Sequence, residues 1–175
     1  MLIEFERGYI AGIIDGEGTL RFRKLKNKEC KRGFSWNPFL YILSTNFDLI
    51  EKLHELLPNS RIESRKVKGN KKPAKTLIVS PNGLRWLLPQ IVDNLIVKKR
   101  HAELLLEALG IFSKRTVTKR PRDRSRGNII IGMNIEDKDE AMLERIYQEI
   151  TLLNKRGRSS DQEKAARYKT KQTRK

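Results

Sequence analysis

The chain has 175 residues, 38% of them hydrophobic, which is enough for one domain with a modest core. Lysine and arginine number 38 against 21 acidic residues, and the formal net charge of +17 favours a polyanionic partner, above all nucleic acid. A single cysteine excludes an internal disulfide framework and, with only two histidines, a Cys/His zinc module, so any metal needs oxygen ligands. No apolar run approaches the roughly 18 residues of a membrane span, and the first residues lack the basic start of a secretory signal, so we expect an intracellular protein without a membrane partner.

The first predicted element is an apolar helix that ends in two carboxylates. Residues 9–14 leave no face of this helix polar, and Asp15 and Glu17 follow, separated by one glycine. A helix that is apolar on every side needs cover on every side. One face lacks side chains because glycine recurs every four residues, so a second backbone, such as that of a twin protomer, can approach it closely. The glycines are Gly8, Gly12 and Gly16.

The run Ile10-Ala11-Gly12-Ile13-Ile14-Asp15-Gly16-Glu17-Gly18 resembles the motif of the LAGLIDADG homing endonucleases. All nine positions match identically or conservatively, with Gly16 in place of alanine and Glu17 in place of aspartate. The motif occurs once, so the resemblance is to the single-motif branch, whose members work as homodimers. It assigns the dimer interface to Gly8, Ala11, Gly12 and Asp15.

Two hairpins follow the motif. Residues 19–25 alternate in polarity, which predicts a half-buried strand, and residues 39–44 predict a second strand with mixed faces. A helix is predicted over residues 47–57, ended by Pro58. Residues 61–67 and 76–80 predict the second hairpin, joined by a basic turn.

The remaining elements are helical or basic. Residues 84–88 and 91–110 predict helices broken by Pro89, and residues 140–153 predict an amphipathic helix. Residues 114–126 are too polar for a core, which indicates a linker or a phosphate contact. We therefore expect an α+β fold with an αββαββα core in a domain over residues 1–155, followed by a basic C-terminal tail over 156–175. The resemblance implies a curved four-stranded antiparallel sheet whose outer face binds DNA while helices cover its inner face.

The resemblance also implies a metal-dependent catalytic site. Glu17 and the backbone carbonyl of Gly16 would hold Mg2+, with Ca2+ or Mn2+ as possible substitutes. Asn46 would position the attacking water, and Thr45 is an alternative for this role. The alternative without a catalytic role is that the residue is an ordinary helix N-cap. Lys98 would approach the scissile phosphate, a role open to Lys99 or Arg100 as well, and all three could instead be the solvated end of a helix.

The outer strand faces supply the predicted DNA contacts. Alternate side chains of a β-ribbon can reach base edges in the major groove, and basic residues in turns and in the tail can contact phosphates. The predicted contacts are Arg21, Arg23, Arg61, Glu63, Arg65 and Thr76 for bases, and Lys66, Lys68, Lys71, Arg156 and Arg158 for phosphates.

These predictions describe a homodimeric, site-specific endonuclease for double-stranded DNA, with no small-molecule substrate, in the cytoplasm, the nucleoid or a DNA-containing organelle. One protomer per helical turn implies a roughly palindromic target of about 20 base pairs. Two alternatives stay open at this point. One is a non-catalytic nucleic-acid binder on the same scaffold, such as an RNA splicing cofactor or a regulator, and the other is a ribosomal-type RNA-binding protein. Glu17 counts against the first, and the glycine-spaced apolar helix counts against the second.

Overall fold

The computed structural model describes residues 1–28, 33–65, 72–113, 117–119, 131–133 and 137–155. The element order confirms the α+β fold and its αββαββα core, followed by a C-terminal helix. The elements are α1 (Glu4–Glu17), β1 (Gly18–Lys26), β2 (Phe34–Ser44), α2 (Phe47–Leu56), β3 (Ser60–Arg65), β4 (Ala74–Val79), α3 (Pro81–Ile91), a 3-10 turn (Val92–Asn94), α4 (Lys99–Ser113), β5 (Val117–Lys119), β6 (Ile131–Met133) and α5 (Asp137–Lys155). No helix in these ranges is long and apolar enough to cross a membrane.

The main sheet has four antiparallel strands in the order β1-β2-β4-β3. Each predicted hairpin forms, and the pairing of β2 with β4 joins the two. The inner face is built by alternate apolar residues that are fully or almost fully buried, namely Leu20, Phe22, Leu40, Ile42, Leu77 and Val79. Helices pack against this face, so the opposite, outer face is the side that the helices leave uncovered.

The last helix belongs to the same core. Leu143, Ile146 and Ile150 of α5 are buried in it. The β1–β2 hairpin is fastened to α5 through Lys24, whose ammonium lies 4.9 Å from the centres of the Phe34 and Trp36 rings and 5.2 Å from that of Tyr147. Lys24 also forms an ion pair with Glu144 of α5. The contacts of Lys24 with α5 cross more than 100 positions of sequence, so α5 and the β1–β2 hairpin pack on the same hydrophobic core.

Two sequence predictions on helix boundaries were wrong. Pro89 does not break α3, because it is exposed near the end of the helix. Proline has no N–H to donate to the carbonyl four residues earlier, which belongs to Arg85, but Arg85 is exposed and water can reach this carbonyl. The break comes later, between the 3-10 turn and α4. The helix also starts earlier than predicted, since Ser80 caps it by accepting the N–H of Gly83 and Pro81 occupies the first turn.

The basic segment over residues 114–126 was predicted to be a linker or a phosphate contact. Residues 117–119 within it form β5, which pairs with β6 in a separate two-stranded antiparallel sheet. The pairing register joins Thr118 to Gly132. The prediction therefore missed a strand, because polar β-branched residues between basic neighbours carry no apolar alternation.

Candidate functional site

The site begins where α1 passes directly into β1. The helix ends at Glu17, and the N–H of Gly18 donates to the carbonyls of Ile13 and Ile14. A Cβ added at Gly18 would lie 2.7 Å from the Ile14 carbonyl oxygen and 2.8 Å from the Ile14 Cα, so only glycine allows this passage. The consequence is that Glu17 is exposed at the junction of the helix with the outer face of the sheet.

A reciprocal set of hydrogen bonds joins this junction to the segment before α4. The carboxylate of Asp15 accepts the backbone N–H groups of Ile96 at 2.7 Å, Val97 at 3.2 Å and Lys98 at 2.8 Å. In return, the ammonium of Lys98 donates to the Ile14 carbonyl at 2.9 Å and to the Asp15 carbonyl. Asp15 thus fixes the backbone that carries Lys98, and Lys98 neutralises the carbonyl end of α1.

The charges at this junction influence one another. Burial alone would raise the pKa of Asp15, but the backbone N–H groups of Ile96, Lys98 and Val97 and the nearby Lys98 ammonium together lower it. Burial lowers the pKa of Lys98, against the opposing effects of Asp15 and Glu17. Burial and the Lys98 charge also lower the pKa of His101, whose Nδ1 is buried without a hydrogen-bond partner among the described residues. Lys98 and Glu17 are therefore close enough to interact electrostatically.

A cavity of about 390 Å³ lies on the outer face and reaches Glu17. Its lining combines polar, charged and apolar side chains from the end of α1 and from all four strands, namely Glu17, Thr19, Arg21, Arg23, Tyr41, Leu43, Glu63, Ser64 and Thr76. The strand register explains the assembly, since Thr19 pairs with Tyr41 and Thr76 pairs with both Leu43 and Glu63. The carboxylate of Glu17 and the arginines of β1 thus share one surface.

The arginines of this surface are held in different ways. The guanidinium of Arg23 lies 4.7 Å from the centre of the Phe39 ring and 5.6 Å from that of Tyr41, which orients it on the sheet. Arg61 instead pairs with Glu63, its Nε and Nη2 lying 3.0 Å and 2.9 Å from the same carboxylate oxygen. Arg23 is a preorganised cation, whereas Arg61 is partly neutralised by its neighbour.

Most of the predicted base contacts lie together on this surface. Arg21, Arg23, Glu63 and Thr76 line the cavity with Glu17, and Arg61 is exposed beside Glu63. Thr76 is only 6% exposed, and its Oγ1 is buried without a hydrogen-bond partner among the described residues. The other predicted contacts lie outside the described residues: Lys66, Lys68, Lys71, Arg156, Arg158 and the side chain of Arg65.

The structure separates the three candidate cations at the start of α4. Lys98 reaches the end of α1. Lys99 pairs with Asp93 at 3.3 Å, and Arg100 pairs with Glu149 of α5 at 2.8 Å. Of the three, only Lys98 contacts the motif.

Two predicted site residues have other roles in the structure. Asn46 caps α2, where its Oδ1 accepts the N–H of Leu49 at 3.1 Å, and it is not among the residues that line the cavity with Glu17. The structure therefore shows Asn46 as a helix N-cap, which was the alternative to a catalytic role. Ala11 is 1% exposed inside the core of its own protomer, so its assignment to a dimer interface is corrected. It shares the buried side of α1 with Ile10 and Ile14.

The opposite side of α1 is open. Gly8, Gly12 and Gly16 are exposed, and a Cβ added at any of them would meet nothing within 4 Å. Phe5 and Tyr9 flank this side, 77% and 47% exposed, with their rings stacked 6.2 Å apart. Asp15 is half-buried and its carboxylate is used within the protomer.

The sequence reasoning missed the contribution of β2 to the site. Tyr41 and Leu43 line the cavity, yet no residue of this strand was among the predicted contacts. The available signal was the alternation itself, because Leu40 and Ile42 are buried on the inner face and their neighbours must point outward. Tyr41 and Leu43 were not predicted as contacts because only polar and charged side chains of the strands were considered.

The described residues contain no group of three or more His, Cys, Asp or Glu side chains that could hold a metal ion. A hard cation such as Mg2+ does not require one, because it commonly takes one or two carboxylates and completes its shell with water and phosphate oxygens. Glu17 offers an exposed carboxylate, and the carbonyl of Gly16 lies in the last turn of α1, where no intrahelical N–H follows. This oxygen donor set fits such an ion.

Comparison with solved structures places the fold. The structure matches the homing endonuclease I-CvuI in complex with I-CreI target DNA with a TM-score of 0.61 and 14% identity, over 86% of this chain and 82% of that chain. It matches the archaeal intron-encoded homing endonuclease I-Vdi141I complexed with DNA with a TM-score of 0.64 and 21% identity, over 86% and 84%. It matches the LAGLIDADG homing endonuclease I-LtrWI bound to target DNA with a TM-score of 0.61 and 17% identity, over 85% of this chain and 45% of that one.

No family model matches the sequence, and a search of curated proteins finds no match. The structural likeness nonetheless defines the class of fold. The chain has the fold of the LAGLIDADG homing endonucleases.

Proposed function

We propose that the chain is a site-specific double-strand DNA endonuclease that acts as a homodimer and depends on a divalent metal. The observation that carries this proposal is the position of Glu17, an exposed acid at the end of the motif helix that shares a cavity with Arg21 and Arg23. The arginines suit a DNA backbone or guanine edges. An acid on a surface for a polyanion weakens binding. Glu63 of the same cavity is paired with Arg61, whereas Glu17 lies at the carbonyl end of the motif helix, where it suits a metal ligand.

Glu17 and the carbonyl of Gly16 would hold Mg2+, or Ca2+ or Mn2+ in its place. When bound, the cation would neutralise charge on the scissile phosphate and promote ionisation of a water nucleophile. The solved structures of I-CvuI with DNA were obtained in the presence of Mg, where the DNA is not cleaved, and of Ca. For this chain the fit of the oxygen donors supports the metal.

Lys98 would place a positive charge beside the reacting phosphate. Its ammonium is fixed by two carbonyls of α1, and its backbone is fixed by Asp15, so its position is set before DNA arrives. Preorganised charge of this kind stabilises a transition state more than a mobile surface lysine does, because little reorganisation is needed. Asp15 would act through Lys98 as a positioning residue.

The open glycine face supports the dimer. Each glycine inside a helix costs about 0.8–1 kcal/mol relative to alanine. Among the described residues of the protomer, no neighbour requires Gly8, Gly12 or Gly16, since each has room for a Cβ. A second α1 packed on this face would require them, would cover Phe5 and Tyr9, and would bring two Glu17 residues to one target, one for each strand.

A cleavage assay separates this proposal from a non-catalytic binder on the same scaffold. Duplexes that bind the protein can be recovered from a randomised library longer than the expected target of about 20 base pairs and then incubated with Mg2+. We expect double-strand cutting by the wild type and none by Glu17→Gln, which should bind the target at least as tightly because a negative charge near phosphate is removed. Binding without cutting by the wild type would favour the non-catalytic binder, and full cutting by Glu17→Gln would refute the role of this residue.

A further inference from the structure

The outer face next to Glu17 carries an exposed apolar side chain among polar and charged ones. Leu43 is 40% exposed there, and Tyr41 lies on the same side of β2. Their partners on β4 are Thr76 and Ile78, both almost fully buried. A partly exposed leucine is an unusual component of a surface whose other side chains are mostly polar or charged.

The strand register places Leu43 beside the catalytic carboxylate. Gly18, the first residue of β1, pairs with Ile42, and Glu17 and Leu43 are the chain neighbours of this pair. Both side chains line the same cavity. Of the outward-facing residues of β2, Leu43 is therefore the nearest in register to Glu17, and it would face the base pair nearest the cleaved phosphate.

We propose that Leu43, supported by Tyr41, recognises the 5-methyl group of a thymine at the innermost base pair that the sheet contacts in each half-site. This inference rests on the proposed function. Thymine is the base that presents a methyl group in the major groove, and an apolar side chain there leaves the hydrogen-bonding edges of the other bases without partners. The formal net charge of +17 supports DNA as the occupant, and Arg21 and Arg23 lie on the same face as Leu43.

The same face offers a second recognised base. The guanidinium of Arg23 is stacked on Phe39 and Tyr41, which lie four and two residues before Leu43 on β2. A guanidinium held in this way suits guanine, so each half-site should combine a thymine nearest the cut with a guanine further out.

The test measures binding without added divalent metal, using duplexes recovered from the randomised library. We expect thymine, on either strand, at the innermost contacted pair. Replacing that thymine by deoxyuridine removes only the methyl group and should weaken wild-type binding by about three- to fivefold, as expected for one buried methyl group. Deoxyuridine at a thymine outside the contacted positions is the matched DNA control.

Protein variants assign the effect to Leu43. Leu43→Ala should bind thymine and deoxyuridine equally at the innermost position, because the partner of the methyl group is gone. Leu25→Ala is the matched control, since Leu25 is equally exposed at 41% but lies at the far end of β1, and it should keep the wild-type ratio.

Two results would overturn the inference alone: a recovered target without thymine at this position, or equal wild-type binding of thymine and deoxyuridine there. These comparisons use the unaltered protein, so they do not depend on how any variant folds. Recovery of no duplex at all would instead refute the proposed function, and this inference with it.

Discussion

The hydrogen bonds of Asp15 yield the most direct test of how the site is held together. Its carboxylate accepts three backbone N–H groups from residues 96–98 and lies near the Lys98 ammonium. Asp15→Asn keeps the size of the side chain and one acceptor oxygen but replaces the other oxygen by an NH2 group that faces backbone donors. We expect the substitution to lower the free energy of unfolding and to loosen the position of Lys98.

The magnitude follows from the number and exposure of these bonds. A hydrogen bond to a charged group contributes about 1.5–3 kcal/mol, and a buried donor left without a partner costs about 1–3 kcal/mol. Asp15 is only half-buried, so solvent screening reduces both effects. We expect a loss of about 2 kcal/mol at pH 7 by urea denaturation at one fixed protein concentration. The matched control is Asp93→Asn, whose exposed ion pair with Lys99 should contribute about 0.5 kcal/mol or less.

The pH dependence of the stability difference tests whether the charge of Asp15 causes it. The pKa of Asp15 is lowered in the folded state from its ordinary value of 3.8, so its carboxylate contributes stability above that value and loses it as the pH falls through the folded pKa. The difference between wild type and Asp15→Asn should therefore be full at pH 7 and shrink below about pH 4. Equal stability of Asp15→Asn and Asp93→Asn at pH 7, or a difference that does not change at low pH, would refute the reasoning.

Three further substitutions test separate features of the structure. Lys98→Ala should slow cutting by about 100-fold or more with a smaller loss of affinity for DNA. The control Lys99→Ala, at an exposed neighbouring residue, should cut normally. If Lys98→Ala changes only the affinity, Lys98 is a phosphate contact and not a catalytic residue. Gly12→Leu should abolish the dimer in sedimentation, because overpacking costs about 1–3 kcal/mol in each copy, while Gly110→Leu, also at an open helical position, should leave it intact. If Gly12→Leu still forms a dimer, the α1 interface is wrong. Gly18→Ala should destabilise the fold by about 1–3 kcal/mol in thermal unfolding because its Cβ meets backbone atoms of Ile14, and a stability equal to wild type would contradict that contact.

The sequence predicted the elements whose signals are local. The end of α1 was visible because glycines and carboxylates interrupt an apolar run, and the strand β1 because its polarity alternates. The order of elements and both hairpins followed from such signals. The helix over residues 84–88 was misjudged because the effect of Pro89 depends on whether water can reach the carbonyl it leaves free, which is a property of the surface and not of the local sequence.

Long-range contacts could not be predicted in the same way. Asp15 binds backbone groups more than 80 positions away, and nothing in the local sequence identifies those partners. Asn46 is the opposite case, because its N-cap role depends on a residue three positions away and could be proposed from the sequence. The proposal of Lys98 over Lys99 and Arg100 likewise rests on contacts within the fold, because Asp93 and Glu149 engage the other two.

The strand β2 shows most clearly why part of the site escaped prediction. Its residues from Phe39 to Leu43 are apolar on both faces, a pattern typical of a strand buried on both sides. Here the helices cover one side only, so Leu43 stays 40% exposed on the other, next to Glu17. An apolar residue that the fold does not bury loses the hydrophobic stabilisation available to it unless a partner covers it. The partner that we propose for it is the methyl-bearing edge of the innermost base pair that the sheet contacts in each half-site.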